Sequence, residues 1–281
     1  MKAQKTNYWK RMLALLALLG SLSVTGTVLG SDGVGLGITP ELTARWWQWA
    51  FSIPSSVHPL TFKETDLSGA SYCMVGQEGG EWFLGGIFKV VDVSAASKQA
   101  QSEGNGGIIP VEIKRECEIP LGKTILIPVL NAECNTAEEL ALGNDVPENL
   151  LGKTRYLRDC AKTVADAVDK ATVAAYFGAV DSGGNWTQNP VEVKRVHTVL
   201  PFSITYSPDN ILSSNCGTPP EDAFLCAPDP NPSLAQVDGY WAHVRPLKPG
   251  TYKLQTFGEA PDFDFALRVT YTLTVVGPKD Q

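Results

Sequence analysis

The sequence predicts a mainly β protein: a β-sandwich, jelly-roll or immunoglobulin-like, with a short N-terminal helix and a helical insertion around residues 150–169. Three observations carry this. The last third holds five strand candidates, "VEVKRVHTV", "FSITYS", "GYWAHVRPL", "GTYKLQTFGEA" and "FALRVTYTLTVV", most of them separated by Gly and Pro turn signals. Leu267, Val269, Tyr271, Leu273 and Val275 alternate with Arg268, Thr270, Thr272 and Thr274, the pattern of a strand with one buried face. Many short strands with such turns argue for a sandwich, and the two helical patterns are short beside them.

The chain begins with a segment that reads as a secretory signal. Lys2, Lys5, Lys10 and Arg11 give a positive start, "MLALLALLG" an apolar centre, and "VLG" small residues for a cut before Ser31. Ser21, Ser23, Thr25, Gly26 and Thr27 keep the apolar run short of the ~20 residues of a membrane span. Residues 31–281 then form one disulfide-bonded domain after a Gly-rich leader. Thr39 caps a helix, Pro40 takes its first position, Glu41 suits its positive end and Pro54 closes it. "EWFLGGIFKVVDV" (81–93) reads as a strand with a bulge or bend at Gly85-Gly86, and 97–107 as a mobile loop. "IIPVEIKRECEIP" and "GKTILIPVLNAEC" read as two strands around a Pro-Leu-Gly turn, the second covered on both sides. Asn149 caps the helical insertion, and "TVAAYFGAVDSGGNW" reads as a hairpin turning at "DSGG".

Removal of residues 1–30 takes away four positive charges and moves the net charge from −7 to −11. An acidic exported chain is a poor partner for nucleic acid and for anionic membranes. The sequence has six cysteines, an even number that points to disulfides in an oxidising compartment. Count alone leaves the pairing open. Cys216 and Cys226 bracket a Pro-rich loop and favour a local bridge; Cys73–Cys117 and Cys134–Cys160 are the working assignment for the others. No CxxC spacing supports zinc.

"TARWWQWAFSIP" places three tryptophans in four positions. On a helix, Leu42, Trp46, Trp49, Ala50 and Ile53 share one face, as packing on a sheet requires. Trp47 lies ~100° away and is left free to stack on a sugar ring. Trp186, in the loop "GGNWTQNP", and Tyr240 complete a candidate ligand-binding set, while Trp82 and Trp241 read as core. Catalytic chemistry is sparse. The three histidines, His58, His197 and His243, are scattered, with neither a GxSxG elbow nor HExxH. His58, near Ser55, Ser56 and Asp66, is the least improbable of them. "LGKT" occurs at 121–124 and 151–154 but lacks the first glycine of a phosphate loop both times. Paired carboxylates remain: Asp262 and Asp264, on one side if extended, and Glu138, Glu139, Asp145 and Glu148. Either group suits a glycosidic bond or hard-oxygen calcium ligation, and calcium is the one cofactor the sequence admits. No catalytic residue is assigned.

"RWWQWAFSIP", "YCMVGQEGGEWFLGG", "RECEIPLGKTILIPVLNAEC" and "GYWAHVRPLKPGTYKLQTF…DFALRVTYTLTV" resemble, in the same order, a group of secreted bacterial proteins of unassigned function. The likeness runs from about residue 43 to 276. It implies an exported bacterial β-sandwich with paired cysteines and brings no catalytic residues. The expectation is therefore a non-enzymatic binding protein of the periplasm or cell exterior, taking a glycan or an envelope protein as partner. The alternatives are an extracellular hydrolase acting on a polymer and an envelope assembly protein.

Overall fold

Ten strands and three helices account for the regular structure of residues 37–60, 73–88, 108–211, 229–245 and 247–277, the segments described by the computed structural model. All of them lie in one compact unit, Gly33–Gln281. The expected signal segment, the 97–107 loop, Asp66, and the Cys216–Cys226 pair lie outside the described residues.

The helices begin where their caps predict. α1 (Pro40–Ser52) starts with the Thr39 hydroxyl accepting from the Leu42 amide at 3.2 Å, and Ile53 and Pro54 end it. α2 (Thr136–Ala141) has no counterpart in the sequence reading; α3 (Leu150–Asp166) is the expected insertion, capped by Asn149.

The strands are β1 (Glu81–Phe83), β2 (Val111–Pro120), β3 (Thr124–Asn135), β4 (Ala174–Ala179), β5 (Asn189–Pro190), β6 (Val193–His197), β7 (Phe202–Ile204), β8 (Ser233–Val244), β9 (Gly250–Ala260) and β10 (Phe265–Val276). They form two five-stranded sheets. One runs β1-β3-β8-β6, with β7 also on β8; the other runs β2-β10-β9-β4-β5. β2 and β3, joined by a turn with Gly122 at φ +86°, lie in different sheets. β2 pairs instead with β10, in parallel, from Val111↔Leu267 onward. β8 starts at Ser233, six residues before the predicted "GYWAHV" segment.

The expected strand at 81–93 stops at Phe83 among the described residues. Gly85 and Gly86 explain why. A Cβ on Gly85 would lie 2.2 Å from Leu60 Cδ2, and one on Gly86 2.8 Å from Val269 Cγ2. The chain leaves the sheet there to run between packed side chains, which any larger residue would push apart.

β3 is buried on both faces, as its apolar run predicts. Ile125, Ile127 and Val129 join Leu254, Val269 and Leu273 of the other sheet in one core. Leu126 joins a second core with Trp46, Trp49, Val237 and Trp241, which seats α1. The expected face of α1 is buried, but so are Thr43, Trp47 and Phe51; only Glu41, Arg45, Gln48 and Ser52 remain exposed. Among the described residues there are two disulfides, Cys73–Cys117 and Cys134–Cys160, the second tying β3 to α3. Arg195 adds a polar tie: it forms two 2.8 Å hydrogen bonds to Asp238 and a 2.7 Å ion pair with Asp166. No helix among the described residues is long and apolar enough to cross a membrane.

Candidate functional site

The tryptophan-rich helix turns out to be a fitting rather than a platform. Trp46 Nε1 donates to the Leu84 carbonyl at 2.7 Å, and Trp49 Nε1 to the Val75 carbonyl at 3.1 Å. Both acceptors lie in the "CMVGQEGGEWFLGG" stretch. Gly76, at φ +65°, turns the chain against the Trp49 ring, where a Cβ would sit 3.2 Å from Cδ1. Gln77 closes the loop, donating to the Cys73 and Phe83 carbonyls and accepting from the Phe83 amide. The two motifs are therefore halves of one packed joint.

That burial takes away the open stacking face expected of two candidate residues. Trp47 is 6% exposed, stacked on Phe51 at 5.4 Å and edge-on to Phe88 at 6.3 Å, so it offers no open face to a sugar. The reason is that Phe51 and Phe88 cover the second flank of α1. Tyr240 is also 6% exposed and belongs to the core shared by the two sheets. Trp186 is half-buried in the β4–β5 turn, bridged to Val180, away from both.

Asp262 and Asp264 are corrected as well. The segment is not extended: Pro261–Phe263 forms a 3₁₀ turn and Asp264 is left-handed at φ +47°, so the two exposed carboxylates lose the shared side that alternation gives. Among the described residues, one set of three His, Cys, Asp or Glu groups has its donor atoms within 4.8 Å of one another: Cys134, Glu139 and Cys160. Its two sulfurs are already bonded to each other. His58 is 1% exposed; its Nε2–H donates to the Ala50 carbonyl at 2.6 Å, and Nδ1 accepts from the Leu60 amide at 3.0 Å. Burial pushes its pKa down to about 4. The ring is a neutral bracket between α1 and the following turn, and Ser55 bonds Asp209 instead.

What the fold does assemble is a cavity of ≈ 170 Å³. Trp47 and Phe88 form one wall, Val164 of α3 another, and Leu130, Phe263 and Phe265 a third. Glu133, Glu138 and Glu139 line its polar end, and no Lys, Arg or His is among the described residues that line it.

Asn135 builds that end. It finishes β3 and caps α2, its Oδ1 accepting from the Ala137 and Glu138 amides at 3.0 Å each. The cap turns Glu138 and Glu139 into the first helical turn, beside Glu133 two residues back on the strand. Asn135 Nδ2 also donates to Glu133 Oε2 at 3.3 Å. Ser233 Oγ holds Asn135 from β8, donating to its Oδ1 at 2.8 Å. Glu139 accepts from Tyr156 at 2.6 Å and Asn144 at 2.9 Å. The Tyr206 hydroxyl donates to Glu138 at 3.4 Å.

Glu133 Oε1 is buried and has no hydrogen-bond partner, and the Trp47 indole N–H is in the same condition. Burial, then the charges of Glu138 and Glu139, hold the Glu133 carboxyl well above the usual range. Burial and the charge of Glu139 push Glu138 up to about 7, against opposing hydrogen bonds from Asn135 and Tyr206. Glu138 therefore keeps its proton to higher pH than an ordinary glutamate.

Glu138 and Glu139 belong to the acidic stretch the sequence flags; Asp145 and Glu148 of that stretch remain on the surface. Glu133 was missed. The signal for it is a charge standing in "ILIPVLNAEC", a strand otherwise apolar on both faces.

No family model and no curated protein matches the chain. Among solved structures, it is similar to a chain in "Structure of PbICP-C in complex with falcipain-2", at 10% identity and a TM-score of 0.21, covering 62% of this chain and 96% of that one. Likeness at that level carries no argument about fold or function.

Proposed function

We propose a non-enzymatic binding protein of the bacterial periplasm or cell exterior, whose ligand enters the cavity between α1, β3 and α3. The observation that carries it is the cavity itself: aromatic and aliphatic walls with three carboxyls at one end, one oxygen of which is buried without a partner. Native proteins leave few buried polar atoms unpaired, so such an atom beside a cavity points to a guest. The buried positions of Trp47 and Tyr240 move the reading from an open stacking face to an enclosed site. The scaffold is read as a β-sandwich because side chains from both sheets share one core. The signal-like start, the two disulfides and the lack of a membrane-crossing helix among the described residues support export.

The test is a thermal-shift and tryptophan-fluorescence screen of the oxidised protein against small amphiphiles and oligosaccharides. A ligand that raises the melting temperature, alters the emission and is lost in Val164→Phe supports the reading. A screen in which no hit depends on Val164 overturns it.

One observation favours a second reading, hydrolysis: a carboxyl held near neutrality beside another is the arrangement of a general acid with its partner. Turnover of a glycoside that disappears in both Glu133→Gln and Glu138→Gln would establish it, and turnover that survives both would dismiss it.

A further inference from the structure

We infer that the ligand of this cavity is a small organic amine, its ring or short alkyl group among the aromatic walls and its ammonium among Glu133, Glu138 and Glu139. The inference rests on the cavity being the binding site.

Charge comes first. Three carboxyls lie at one end, and among the described residues no cationic side chain lines the cavity. A group left at that end must be neutral, or it must bring the missing positive charge. Glu133 Oε1 decides between them. It is buried and unpartnered, so a donor reaching it recovers a hydrogen bond that the folded chain leaves unmade. An ammonium offers three donors and a charge, and charge-assisted bonds are the stronger ones.

Shape comes second. A divalent metal needs its oxygen ligands converging on one point at ~2–2.6 Å. No three carboxyls among the described residues place their oxygens within 4.8 Å of one another. An ammonium on a carbon stem accepts that wider spacing. The volume, ≈ 170 Å³, is close to cavities of about 150 Å³ that hold a benzene ring. Trp47 and Phe88 add aromatic surface for the apolar body of the guest.

The raised carboxyl of Glu138, at about 7, fits the same picture. A cation placed beside it favours the ionised form, so binding releases protons.

The experiment compares three probes of one size on the full mature protein at pH 7.5: 2-phenylethylamine, 2-phenylethanol and 3-phenylpropionate. Calorimetry in two buffers of different ionisation enthalpy reads affinity and proton release together. The amine should bind about tenfold or more tighter than the alcohol, with proton release, and the carboxylate should not bind. Glu138→Gln and Glu133→Gln should erase the preference for amine over alcohol, read as the ratio of the two affinities. If one of these variants fails to fold, the other carries the test. Alcohol binding as tight as amine, or calcium displacing the amine at equal concentration, overturns the inference and leaves the cavity reading standing. No binding of any probe, with Val164→Phe indistinguishable from the parent, overturns the cavity reading itself.

Discussion

At the α1 end of the cavity, Trp46 and Trp49 each find a backbone carbonyl, and the glycines opposite them are cut to fit. At the β3–α2 end, Glu133 and Glu138 are half-buried, and one Glu133 oxygen is buried without a partner. Both ends are enclosed by the same strand, β3. The first lowers free energy through the Trp46 and Trp49 bonds, although the Trp47 indole N–H is buried there without a partner. The second raises it, because burying carboxyls beside one another disfavours their charge. A fold retains such a corner when something outside the folded chain makes up the difference, which is why the acidic end, and not the louder tryptophan end, is the functional candidate.

The comparison breaks most visibly at Trp46. Trp46→Ala removes a buried indole and its 2.7 Å bond, and should destabilise by ~3–5 kcal/mol in urea denaturation. A loss under ~1 kcal/mol would mean that α1 is not part of the core.

The acidic end is sharpened by pH. Glu138 has a folded pKa above its unfolded one, so the native state holds the extra proton between about 4.5 and 7. Stability from this group is full below that window and is lost as pH rises through it, by on the order of 2–3 kcal/mol. His58 works in the opposite direction, losing stability as pH falls from 6.5 toward about 4. The reading is therefore the difference between parent and Glu138→Gln: the variant should be the more stable at pH 8, and the gap should close by pH 5. A gap independent of pH would show that the carboxyl is not strained.

Asn135→Ala removes the cap that gathers the glutamates and should cost about 1–2 kcal/mol in thermal unfolding. A negligible loss would mean that Ser233 can hold the α2 start alone. The smallest effect belongs to Trp186→Ala, expected within about 1 kcal/mol of the parent and without influence on the ligand-induced fluorescence change. A lost ligand response there would move the site to the β4–β5 turn.

Much of the scaffold was legible because its signals are local. Thr39-Pro40 starts α1, Asn149 starts α3, and the alternation through Leu267–Val275 faces β10 correctly. The mainly β class follows from these and from the turn-separated strands. What local signals do not carry is which element covers which. Trp47 faces away from the predicted stripe of α1 and is buried because Phe51 and Phe88 meet it there. β2 and β3 look adjacent in sequence yet part into different sheets. The acidic end was half legible. The Glu138-Glu139 pair stands out as charge, but Glu133 joins them through the Asn135 cap, a tertiary corner that no periodicity announces.

The parallel pairing of β2 with β10 sets an order of events. β10 lies between β2 and β9, and its first contact with β2 joins Val111 to Leu267. A chain emerging from its N-terminus must carry β2 without this partner until β10 arrives. Pairings this distant are slow to form, so the second sheet closes late and all at once. A protease that cuts within β10 would remove the strand that joins β2 to β9, leaving β2 detached from the rest of the sheet.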